Sequence, residues 1–75
     1  MIIDLHGLSH HAAVKEVEDR LIQASNKGSF DAEIITGKSV VMKRIIVQKV
    51  LDEWGFDYLE FPDNVGTIYV SYTQL

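Results

Sequence analysis

The chain contains no cysteine, which excludes disulfide staples and every zinc centre built on thiolates. Its three histidines alone would make a poor structural metal cage. One proline and five glycines among 75 residues, with 47% hydrophobic content, argue against a disordered chain. No apolar run approaches the roughly 20 residues that a membrane-crossing helix needs. The N-terminus enters a strand directly, with neither a basic leader nor a cleavage pattern. No membrane role is expected, and the cytoplasm is the expected location. Basic charge is also scarce: seven Lys and Arg against eleven Asp and Glu give a formal net charge of -4. That weighs against indiscriminate nucleic-acid binding, which rests on a broadly basic surface. A local basic patch stays compatible with it.

What is present suits one small domain spanning residues 1–75. A chain of this length buries only about 60% of its unfolded surface. Lacking staples, it must rely on regular local structure, a well-filled core or self-association. Residues 2–6 read as a strand, with Ile3 and Leu5 on one face and Asp4 and His6 on the other. Ser9 is placed to cap a helix. Val14, Val17, Leu21 and Ala24 then recur at helical spacing, opposite the i,i+4 pairs Lys15–Asp19 and Glu16–Arg20. Asn26 to Ser29 ends that helix. Residues 32–36 form a second strand, broken by Gly37-Lys38-Ser39. Residues 40–54 are rich in Val and Ile, but their length and turn-spaced charges decide for a helix. A third strand over 56–61, a loop over 62–66 and a fourth strand over 67–72 complete the chain.

The order β-α-β-α-β-β predicts an α/β chain folded as an α+β two-layer sandwich. Its sheet is mixed and four-stranded, with both helices on one face. Ile3, Leu5, Val17, Leu21, Ile45, Leu51 and Ile68 are the expected core. Trp54, Phe56 and Phe61 are assigned to the core over base stacking, and Tyr69 to the open face, free to stack on a base or join a dimer.

This topology brings the loops after strands one and two to one edge of the sheet, where ligands of open α/β sheets bind. Both helices begin there, and their free amides suit an anion such as phosphate. Asp4, His6, Gly7, His10, Thr36, Gly37, Lys38 and Ser39 gather at that edge, with Lys43 and Arg44 adding positive charge. Histidine titrates closest to neutrality, so His6 suits general acid–base work. Asp4 could orient it, hold a divalent ion, or merely brace the turn. A Walker A loop is excluded, because GxxxxGK[ST] demands glycine where Ala32 stands. His10 and His11 point about 100° apart on a helix, so no protein-built metal site is assigned.

Ile3-Asp4-Leu5-His6-Gly7-Leu8 resembles the LDxHG-type signature of the Smr (small MutS-related) domain family. Thr36-Gly37-Lys38-Ser39 is similar to that family's second signature, TGxG or HGxG, and the spacing and element order fit over nearly the whole chain. The resemblance implies a fold like the C-terminal domain of translation initiation factor 3. It also implies binding to DNA or RNA, often with endonuclease activity that nicks DNA or cleaves RNA. Carried over by position, Asp4 and His6 are the catalytic or phosphate-orienting pair, and Thr36, Gly37 and Lys38 the phosphate-facing loop. Ser39 departs from the signature's last glycine, which puts close backbone approach, and with it catalysis, in question. Mg²⁺ or Mn²⁺ is the cofactor such hydrolysis would draw on. The alternative is a non-catalytic module of the same fold for a protein or RNA partner, and homodimer formation is compatible with so small a core.

Overall fold

The computed structural model describes residues 1–75. Four strands, β1 (Ile2–Asp4), β2 (Phe30–Ile35), β3 (Asp57–Phe61) and β4 (Asn64–Tyr72), form one sheet in the order β1-β2-β4-β3. β1 runs parallel to β2, while β4 runs antiparallel to both β2 and β3. β1, β2 and β3 therefore point the same way. Their C-terminal ends share one edge of the sheet with the start of β4.

Alternation sorts the strand residues into two faces. Ile3, Ala32, Ile34, Ile68 and Val70 are buried on one face, with Ile34 opposite Ile68 and Ala32 opposite Val70. Helix α1 (His10–Lys27) packs there through Ala13, Val17 and Leu21, which recur every four residues. Its outer side carries both expected ion pairs, Lys15–Asp19 at 3.1 Å and Glu16–Arg20 at 3.7 Å. Helix α2 (Val40–Ile46) runs without a break through a π-helical stretch (Val47–Leu51) into a last turn (Asp52–Trp54). The wider i→i+5 turns keep residues spaced by four near one stripe. Met42, Ile46 and Val50 are all buried along it, and Leu51 beside them. Both helices join the sheet in a single cluster of 14 buried apolar residues. The fold is thus the two-layer α+β arrangement expected, with a mixed four-stranded sheet.

At the end of the sheet away from the parallel strands' C-termini, Phe30, Phe56 and Tyr72 close the core. Their ring centroids lie 5.4–6.1 Å apart, with Phe30 stacked on Tyr72 and Phe56 edge-on to both.

Several details differ from the sequence reading. β1 stops at Asp4, because Leu5 to Leu8 turn sharply, and β2 begins two residues early, at Phe30. The expected loop over 62–66 shrinks to Pro62-Asp63, since β4 already pairs at Asn64, opposite Phe61. The register shifts between Leu59 and Phe61: their partners on β4 are Tyr69 and Asn64, so the extra residues of this irregularity lie on β4. Ile46, not Ile45, is the fully buried residue of α2; Ile45 is only half-buried. Valine, isoleucine and methionine line much of that helix, so apolarity alone does not mark its inward stripe. Of the three aromatics assigned to the core only Phe56 is there; Trp54 is 53% exposed and Phe61 46%. Trp54 lies on the surface because its indole Nε1–H donates to Glu18 Oε2 at 2.9 Å.

Truncation separates the two isoleucines. Ile46→Ala should lower stability by about 2–4 kcal/mol, and Ile45→Ala by less than half as much, in urea unfolding followed by circular dichroism.

Candidate nucleic-acid interface

The edge that gathers the C-terminal ends of β1, β2 and β3 carries two glycine turns of similar design. The first begins where β1 ends. Leu5 N–H still donates to Ile35 O at 2.9 Å, holding the turn beside β2. Asp4 Oδ1 then accepts the His6 backbone N–H at 2.9 Å, and Leu8 N–H reaches back to Leu5 O at 3.1 Å. Gly7, at φ 81°, supplies the left-handed residue that closes the turn. Ser9 Oγ accepts from Ala12 N–H at 3.1 Å and caps α1.

Asp4 and His6 are therefore not two side chains paired across a strand face. Asp4 ends the strand and braces the turn through the backbone of His6. The His6 imidazole is exposed and makes no hydrogen bond within the chain. What the carboxylate fixes is the turn that carries the ring.

The second turn follows β2. Thr36 is buried: its N–H donates to Gly66 O at 2.8 Å, and its hydroxyl lies 3.2 Å from Gly66 O and 3.3 Å from Gly37 O. Gly37 takes φ 67°. A Cβ at Gly7 or Gly37 would meet nothing within 4 Å. Backbone conformation, not crowding, thus calls for glycine at both, and the space above each is open. Ser39 Oγ accepts from Met42 N–H at 3.0 Å, capping α2 as Ser9 caps α1. The hydroxyl at the position of the signature's last glycine has a structural use.

Positive charge is distributed unevenly among the expected contacts. Lys38 is exposed in the turn, and neither it nor Arg44 forms an ion pair. Lys43 is turned toward β3, with Nζ 3.8 Å from Glu60 Oε1 and its side chain only 18% exposed. His10 is exposed in the first turn of α1 and lines, with His11, Val14, Ile45 and Lys49, a cleft of about 360 Å³ between the helices. No three His, Asp or Glu side chains converge to hold a metal ion.

Two participants were missed by sequence reading. Gly66 receives both Thr36 bonds, and a Cβ there would lie 3.2 Å from Gly37 O. A glycine within a strand pattern is the available signal, since it marks a close backbone approach. Glu60, the partner of Lys43, has no sequence signal, because the pair depends on how α2 crosses β3.

The capping assignment predicts a ranking. Ser39→Ala should cost about 1 kcal/mol and Ser39→Gly only a few tenths, read as shifts in thermal unfolding.

The model of the family described as Smr domain matches residues 3–56, from β1 through the end of the second helix. No curated protein and no solved structure matched the chain, so the likeness to translation initiation factor 3 stays an expectation. The matched span holds both glycine turns, both serine caps and the exposed His6 and Lys38, and on that match the chain belongs to the Smr domain family.

Proposed function

We propose that the edge formed by the two glycine turns binds the phosphodiester backbone of DNA or RNA, and that His6 takes part in its hydrolysis. One observation carries the reading. Two glycine turns open side by side at the ends of parallel strands, each leading into a serine-capped helix, with Lys38 beside them free of any ion pair. Helix N-termini favour phosphate through their free amides and partial positive charge. Membership of a family linked to nucleic acids and nucleases points the same way.

In the hydrolysis, water attacks phosphorus and the bond to the leaving ester oxygen breaks. His6, unencumbered by internal hydrogen bonds, either takes the proton of the attacking water or gives one to the departing oxygen. Lys38 and the amides of the second turn stabilise the charge that grows on the phosphoryl oxygens. Asp4 acts as a positioning residue, since its Oδ1 holds the turn that presents His6. A divalent ion such as Mg²⁺ or Mn²⁺ would find one carboxylate there and keep most of its water.

The same Asp4 bond favours a second reading, a binding module without catalysis. A carboxylate that braces a turn is sufficiently explained without chemistry.

A cleavage assay on labelled single- and double-stranded DNA and RNA, with and without Mg²⁺ or Mn²⁺, separates the readings. The nuclease reading expects cutting that falls by about 100-fold or more in His6→Ala, with folding confirmed by circular dichroism. Equal cutting by parent and His6→Ala would sink it. Binding without cutting would establish the module. In either case Lys38→Ala should lower the slope of log affinity against log salt by about one, measured by fluorescence anisotropy.

A further inference from the structure

We propose that the sheet face opposite the helices docks a basic amphipathic helix of a protein partner, at a surface separate from the nucleic-acid edge. The strand register lays out this face in rows. Ile2, Glu33, Tyr69 and Leu59 are mutual partners across all four strands. A second row joins Asp31, Ser71 and Asp57, and a third joins Asp4, Ile35 and Thr67. Ile2 is 60% exposed and Leu59 64%, although both lie in regular strands. Phe61 packs edge-on against Tyr69 at 5.3 Å and extends the apolar strip toward the hairpin. An open groove of about 710 Å³ runs over this surface, lined by Met1, Ile2, Glu33, Asp57, Leu59 and Tyr69 among others.

Charge decides the occupant. Asp4, Asp31, Glu33 and Asp57 all belong to these rows, and none of the seven Lys and Arg lies in any strand. The Met1 amino group donates to the backbone carbonyl of Asp31 at 3.2 Å, not to its carboxylate. Aspartate is depleted from strands generally, and Asp31, Glu33 and Asp57 form no ion pair within the chain, whereas Asp4 already braces the first turn. No ion pair or side-chain hydrogen bond within the chain accounts for those three. A polyanion is repelled by such a face. A second copy would oppose carboxylates to carboxylates across an isologous contact. Lysine and arginine flanking an apolar stripe complement it in sign.

Dimensions point to a helix. Four strands spaced about 4.8 Å apart span roughly 14 Å, and a helix with its side chains is about 10–12 Å across. Such a helix would cover the sheet as a third layer, its apolar stripe on Ile2, Tyr69 and Leu59 and its cations over Glu33, Asp31 and Asp57. The contact leaves Gly7, Gly37 and Lys38 uncovered, and the proposal stands whether or not the edge cuts nucleic acid.

The test titrates the ¹⁵N-labelled chain with a synthetic leucine–lysine peptide patterned as an amphipathic helix, beside the same peptide with glutamate for lysine. Saturable shifts at amides of residues 2, 33, 59 and 69, sparing 7 and 37, are expected from the lysine peptide alone. Asp57→Lys and the Glu33→Lys/Asp57→Lys pair should each weaken binding, the pair by about tenfold or more. Leu59→Ser, which leaves charge untouched, should weaken it too; a dispersed spectrum verifies that each variant is folded. The proposal is overturned by shifts centred on residues 7 and 37, by equal affinity for the glutamate peptide, or by absence of saturable binding. Shifts of the same strand amides by a single-stranded RNA oligonucleotide, or a dimer in light scattering that Leu59→Ser dissolves, overturn it as well.

Discussion

β2 is hydrogen-bonded along both edges, to β1 in parallel and to β4 antiparallel, and Ile34 at its centre is wholly buried. The geometry of the site follows from that double pairing. The parallel partner brings the turn after β1 beside the turn after β2, through Leu5 N–H on Ile35 O. The antiparallel partner brings Gly66 beneath Thr36, where one carbonyl meets both the amide and the hydroxyl of a buried threonine. A small domain without disulfides holds this edge with backbone hydrogen bonds. No buried side-chain nitrogen or oxygen is left without a partner.

The order of elements, the parallel start and antiparallel finish, and the Ser9 cap of α1 were legible in the sequence, because each rests on a local signal; the Ser39 cap of α2 emerged only from the structure. Alternation marks Ile3 and Leu5, serine before an apolar period marks the cap of α1, and glycine marks each turn. What was not legible depends on tertiary geometry. The inward stripe of the second helix could not be read from a run where Val40, Val41, Met42, Ile45, Ile46, Val47 and Val50 are all apolar. The π-helical stretch that sets its phase has no sequence signature here. Trp54 and Phe61 are large and apolar, yet one is held outside by Glu18 and the other by the alternation of β3. At the candidate site, the meeting of the two glycine turns at one edge was readable but the relation of Asp4 to His6 was not. Two residues spaced i,i+2 face the same way only while the strand continues, and it ends at Asp4.

The chain resolves its acidic net charge by layer. Lysine and arginine are confined to the helices and the turn after β2, while the strands carry carboxylates only. Lys38 and Arg44, both free of ion pairs, lie in the turn after β2 and on the helix that follows, away from the open face of the sheet. Glu60 refines this further by drawing Lys43 aside toward β3.

The irregular register between Leu59 and Phe61 has a bearing on how these molecules behave when crowded. β1 and β3 are the outermost strands of an open sheet, each with a rank of unpaired amides and carbonyls that a neighbouring chain could extend. β1 presents only three residues, too few to template a partner strand. β3 is longer and bears exposed Leu59 and Phe61, the more hazardous of the two. The shifted register between β3 and β4 interrupts the even ladder at the hairpin end of this edge. The outermost strand with exposed apolar side chains is thus paired inward on a strand whose extra residues break the even spacing of the sheet beside it.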